Sequence, residues 1–149
     1  MFEDKFSGCY CAATRKASRI LTNFYDAAIA PSGLKITQYS LLKTLQRLGP
    51  VPIAALAEDM LLERTTLVRN LKILSQKALV EIFPDKQPRA RLIRLTDKGE
   101  EELARAIPLW RQAQEQTRSV LTEEEQTMLG RLAQKLSAKA ATPCPNCPK

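Results

Sequence analysis

Apolar residues recur at spacings of three and four along most of this chain. The pattern changes to a short alternating one only near residue 80 and again near residue 93. Ala13, Ala17, Ile20, Leu21, Phe24 and Ala28 share one helical face. They predict a helix over 8–30, ended by Pro31-Ser32-Gly33. Leu41, Leu42, Leu45 and Leu48 form the stripe of a second helix, with Thr37 as its expected N-cap and Gly49-Pro50 as its stop. Pro52 stands near the first turn of a third helix, where its missing N–H costs nothing, and Ile53, Leu56 and Met60 face the core. Leu67, Leu71 and Leu74 define a fourth helix over 63–76.

The alternation then predicts strands over 79–83 and 91–95, joined by a loop over 84–90. Thr96-Asp97 opens a long helix to about residue 120, with Leu103, Ile107, Trp110, Thr117 and Leu121 as a rough stripe and Pro108 in its interior. Thr122-Glu123-Glu124-Glu125 reads as a capping box for a last helix over 123–137, carrying Leu129, Leu132 and Leu136. The Pro-punctuated tail, 138–149, reads as irregular. The expected fold is mainly α with one small β-hairpin.

Composition narrows the function. The chain has 149 residues, no His and five Gly. It therefore lacks the commonest general base and metal ligand, and it carries no G-x-G-x-x-G or G-x-x-x-x-G-K-[ST] loop. No enzyme class is favoured. No run of roughly 18 uncharged apolar residues occurs, which argues against a membrane span. The acidic start, MFEDKFSGC, has no apolar leader, so a cytoplasmic location is expected.

The net charge of +7 is unevenly placed. Residues 63–96 hold Arg64, Arg69, Lys72, Lys77, Lys86, Arg89, Arg91 and Arg94 against Glu63, Glu81 and Asp85, which accounts for +5 of it. A helix pair followed by a basic hairpin is the shape of a double-stranded DNA reader. The second helix of such a pair enters the major groove. Its exposed residues would be Arg64, Thr65, Thr66, Val68, Arg69 and Lys72. Arg reads guanine edges, Thr and Val pack on thymine methyls, and Thr and Lys hold phosphates. The hairpin supplies Lys86, Arg89 and Arg91, with Arg89 the candidate for a narrow minor groove. The alternative is a solvated basic face, or a docking or architectural module.

The order of these pieces resembles the MarR family of winged-helix transcription regulators. LAEDMLLERTTLVRNLKIL at 56–74 is similar to the family's LAExLxLxRSTVTRxLxxL segment. KALV at 77–80 stands where the family has RGLV, and RLIRLTDKG at 91–99 resembles its strand and LTxxG helix start. Tyr25-Asp26, Pro31 to Leu34 and Thr37-Gln38-Tyr39 are also similar. The resemblance spans about 9 to 137. One departure lies at the wing tip: Gln87, Pro88 and Arg89 stand where the family has DRR.

The resemblance implies a winged helix-turn-helix over 37–96 and a helical dimerisation region over 8–36 and 97–137. It implies a homodimer, and the function expected of that dimer is a repressor on a palindromic operator. Apolar stripes on the first and last two helices, which one small winged domain cannot cover, point the same way. It also implies a small aromatic effector, for which Phe24, Tyr25, Tyr39 and Trp110 are the lining candidates, with plain core packing as the alternative.

Four cysteines stand as Cys9-x-Cys11 and Cys144-x-x-Cys147. Three readings stay open: reduced thiols, a redox switch joining the chain ends, or a zinc or iron–sulfur site. A shared metal requires the Cys9–Cys11 segment to be non-helical, because residues two apart face different sides of a helix. A thioredoxin-like role is disfavoured, since neither strand nor helix flanks Cys144 and Cys147.

Overall fold

The computed structural model describes residues 9–86 and 91–140. In chain order these form α1 (Tyr10–Ile29), a single 3-10 turn (Ala30–Ser32), α2 (Ile36–Leu48), β1 (Val51–Pro52) and α3 (Ile53–Asp59). There follow α4 (Arg64–Gln76), β2 (Val80–Pro84), β3 (Arg91–Leu95), α5 (Asp97–Val120) and α6 (Glu123–Ala140). The chain divides into two compact units, one ending at Ala113 and one starting at Gln114.

In the first unit, the stripes read for α2, α3 and α4 meet β3 and the start of α5 in one core, whereas Ile20 and Phe24 of the α1 stripe stay exposed. Leu41, Leu42 and Leu45 of α2, Leu56 of α3, Leu67, Leu71 and Leu74 of α4, Ile93 of β3 and Leu103 of α5 are at most 1% exposed. Each such side chain contributes roughly 1.5–3 kcal/mol relative to exposure. The sheet has the order β1-β3-β2, all antiparallel, with Val51 opposite Ile93 and Val80 opposite Leu95. Its third strand, β1, is only two residues long, too short to leave an alternating signature, and it was not expected from the sequence.

The start of α2 also differs from expectation. Thr37 lies inside the helix, and the cap comes from α1: the Ile36 N–H donates to Asp26 Oδ1 at 2.6 Å. Next to it, the Lys35 N–H donates to Gln38 Oε1 at 3.1 Å. A carboxylate at this end also opposes the positive pole of the helix. The 3-10 turn is closed by Ser32, whose hydroxyl donates to the Ile29 carbonyl at 2.7 Å, and by Gly33 at a φ of +75°.

The start of α5 is built from one threonine. Thr96 Oγ1 accepts from the Gly99 N–H at 3.0 Å and donates to the Ala78 carbonyl at 2.6 Å. The same side chain thus caps α5 and ties it to the end of α4. The helix continues unbroken through Pro108.

In the second unit the capping box forms as read. Glu125 N–H donates to Thr122 Oγ1 at 3.2 Å, and Thr122 N–H to Glu125 Oε2 at 2.8 Å. Helix α6 runs on to Ala140, so residues 138–140 are helical where an irregular tail was expected. Residues 141–149 lie outside the described residues. Met128, Leu129, Leu132 and Leu136 of α6 are 45–60% exposed, so its apolar stripe is uncovered in the single chain. Among the described residues, no helix is long and apolar enough to cross a membrane.

Candidate nucleic-acid interface

The helix pair is set by two helix ends of the same construction. At the end of α3, the Leu62 N–H donates to the Ala57 carbonyl at 2.9 Å and the Leu61 N–H to the Glu58 carbonyl at 3.1 Å. At the end of α4, the Leu79 N–H donates to the Leu74 carbonyl at 2.9 Å and the Ala78 N–H to the Ser75 carbonyl at 2.9 Å. Both are Schellman motifs, which need a left-handed residue after the cap. Leu61 and Ala78 fill that place at φ of +51° and +57°. The first motif reverses the chain between α3 and α4. The second sends it from α4 into β2.

Between these turns, α4 is sharply two-sided. Leu67, Leu71 and Leu74 are buried, while Arg64, Thr65, Thr66, Val68, Arg69 and Lys72 are all exposed. The residues named from the sequence therefore share the outward side of one helix. The N-cap residue, Glu63, makes no side-chain cap bond, and Arg64, Thr65 and Thr66 form the first turn. The backbone N–H groups at such a positive helix pole suit a phosphate oxygen. Val68 and Lys72 also border a groove of about 360 Å³ whose other walls include Ile53, Leu71 and Ile82.

The hairpin contributes less than its charge count suggests. Lys86 and Arg91 are exposed, and the Lys86 N–H is held by Asp85 Oδ1 at 2.6 Å. Arg94 is engaged by Glu81 at 2.9 Å and lies 5.0 Å from the centre of the Phe83 ring. Lys77 points its ammonium at the Gly33 carbonyl, 3.5 Å away, and Lys98 donates to the Lys77 carbonyl at 2.9 Å. Arg89 lies outside the described residues.

Away from this face, Tyr39 and Trp110 stack with ring centres 5.6 Å apart and planes 19° apart. Tyr39 is 4% exposed, and burial raises the pKa of its hydroxyl, opposed by the positive charge of Arg111. Phe24 and Tyr25 meet edge to face at 5.6 Å on α1. Cys9 is the extended N-cap of α1 and Cys11 lies in its first turn; both are exposed free thiols. Cys144 and Cys147 lie outside the described residues. Among the described residues, no cluster of three or more His, Cys, Asp or Glu could hold a metal ion.

Known proteins share this arrangement. The model of the MarR family matches residues 34–89, from the start of α2 to the wing. The Mycobacterium tuberculosis transcriptional regulator MosR, solved in complex with DNA, is 33% identical. That match covers 91% of this chain and 99% of MosR, with a TM-score of 0.81. The chain belongs to the MarR family. Its winged helix-turn-helix is therefore that of a family of DNA-binding transcription regulators, which are not enzymes.

Two more distant MarR-like structures share the fold. A Cys-to-Ser mutant of Escherichia coli MarR, complexed with operator DNA, is 19% identical over 84% of this chain and 91% of that one, with a TM-score of 0.76. PcaV of Streptomyces coelicolor, solved with its natural ligand, is 19% identical over 94% and 99%, with a TM-score of 0.80. No curated protein sequence matches the chain significantly.

Sequence reasoning missed how the MarR fold is held here. Asp26 gave no local signal, because its partner lies ten residues away. Thr96 was read only as the opening of a helix, although one of its partners, Gly99, lies in the same LTDKG string; the other, Ala78, lies 18 residues back in KALV.

Proposed function

We propose that this protein is a sequence-specific regulator of transcription that binds double-stranded DNA as a homodimer and represses from a palindromic operator. The outward face of α4 carries this reading: six side chains suited to bases and phosphates, exposed on one helix whose opposite face is locked in the core. Arg64 and Arg69 are the leading contacts to bases or phosphates. Thr65, Thr66 and Val68 meet thymine methyls and backbone, and Lys72 holds a phosphate. Lys86, Arg89 and Arg91 extend the contact along the hairpin.

The uncovered stripe of α6 and the exposed Ile20 and Phe24 of α1 support pairing with a second copy. A two-fold pair presents two α4 helices to half-sites about 34 Å apart. The 37–96 segment would then read DNA, and helices within 8–36 and 97–137 would join the copies. A signal that alters the spacing of the two α4 helices releases the operator.

For the signal, a thiol switch has support in the exposed pair Cys9 and Cys11. An oxidised thiol condenses with a second thiol to a disulfide. The aromatic candidates for an effector site offer less, because Tyr39 and Trp110 already cover each other.

Footprinting of the purified protein on the DNA upstream of its own gene tests the reading. A protected two-fold site is expected. The Arg69→Ala protein should lose about 1–3 kcal/mol there if Arg69 meets a base. Equal loss on random duplex would make Arg69 a phosphate contact. Replacing Cys9 and Cys11 by Ser should remove any response to peroxide, and an unchanged response would remove the thiol switch.

A further inference from the structure

On the tip side of the sheet, β3 is flanked by two prolines: Pro52 of β1 opposite Leu92, and Pro84 of β2 opposite Arg91. Neither can donate an N–H to the ladder. Strand alternation puts Glu81, Phe83, Leu92 and Arg94 on one face of the hairpin, and Val80, Ile82, Ile93 and Leu95 on the core side. On the outer face, Glu81 and Arg94 are directly opposite each other. Arg94 Nε donates to Glu81 Oε2 at 3.0 Å, and its terminal nitrogen reaches the same oxygen at 2.9 Å. The guanidinium also lies over the Phe83 ring, two residues nearer the tip on the neighbouring strand.

We propose that Arg94, held by Glu81 and Phe83, is a positioning residue that fixes the direction in which the wing leaves the sheet, and is not itself a DNA contact. The inference rests on the DNA-binding reading above. Its physical basis is the diagonal form of the clamp. One guanidinium ties the base of β2 through Glu81 and its tip end through Phe83, both from a single position on β3. Twist between the strands is then restrained by side chains in addition to the ladder. Lys86 and Arg91, at the two exits toward the tip, keep a fixed relation to α4 as a result.

The test turns on the sign of a charge effect. Glu81→Gln removes a negative charge from a surface that faces a polyanion. By Coulomb's law alone it should tighten DNA binding. A positioning role predicts the reverse on the operator: affinity falls about twofold to fivefold, the range one exposed cross-strand pair supports. Random duplex should be bound as well as before or better. Arg94→Lys keeps the charge but loses the forked bond and the flat stack. It should weaken operator binding to a similar extent, with the salt dependence of binding unchanged. In the DNA-free protein, both variants should speed amide exchange within 80–84 and 91–95 while leaving α4 protected.

Tighter binding of E81Q to operator and random duplex alike would overturn the proposal. So would a Lys variant of full affinity paired with an Arg94→Gln variant whose salt slope drops by about one phosphate. A wild-type protein that binds no duplex would remove the DNA reading and this role with it. A wild type that binds while E81Q binds tighter removes only this role.

Discussion

Gly99 lies so close to the carbonyl oxygen of Leu79 that a Cβ on the glycine would overlap it. The same oxygen accepts from the Thr96 N–H at 3.2 Å. The first turn of α5 is thus pressed on the point where α4 hands the chain to the hairpin. This contact places the end of α4 relative to the first turn of α5, and only a residue without a side chain permits it.

Gly99→Ala should therefore destabilise the protein by about 1–3 kcal/mol, the usual range for forced overpacking, because a backbone atom must move rather than a flexible side chain. A urea melt followed by circular dichroism measures it. A midpoint equal to that of the wild type would mean that α5 can slide at no cost.

Ala78 and Leu61 predict the opposite sign. Each occupies a left-handed position that costs a non-glycine residue roughly 1–2 kcal/mol. Glycine relieves that strain but loses more chain entropy on folding. The balance favours Ala78→Gly and Leu61→Gly by about 0.5–1 kcal/mol each. At 73% exposure, Leu61 has little packing to lose, so its variant is the cleaner one. Lower denaturation midpoints in both would show that neither turn is strained.

Tyr39 predicts an alkaline limit. Burial raises its pKa above the ordinary value of 10.0, so the folded chain keeps this proton after the unfolded chain has released it. Its contribution is whole below pH of about 10 and is lost as pH rises through the folded pKa. Tyr39→Phe should flatten the fall in stability above that pH relative to the wild type. Parallel curves for the two proteins would place the ionised ring in contact with water.

Most helices were legible because their apolar stripes coincide with burial. Leu67, Leu71 and Leu74 are spaced by the helix repeat and are all buried. The capping box at Thr122 was legible because it is local. What stayed hidden was non-local. Asp26 caps a helix ten residues on, and β1 exists only because Val51 finds Ile93 across the sheet. The outward side of α4 could be named from its polar positions. The engagement of Arg94 by Glu81 and Phe83 could not, since charge counting does not distinguish a paired guanidinium from a free one. The Leu and Ala in the two left-handed turns also gave no turn signal, because glycine or asparagine is what such positions ordinarily show.

The most direct measurement compares binding of this protein to the duplex upstream of its own gene with binding to a scrambled duplex of equal length, across a range of salt. Two chains per site and a preference of about 10³ or more at physiological salt are expected, with affinity for both duplexes falling steeply as salt rises. Equal affinity for the two duplexes, or one chain per site, would contradict a sequence-reading dimer.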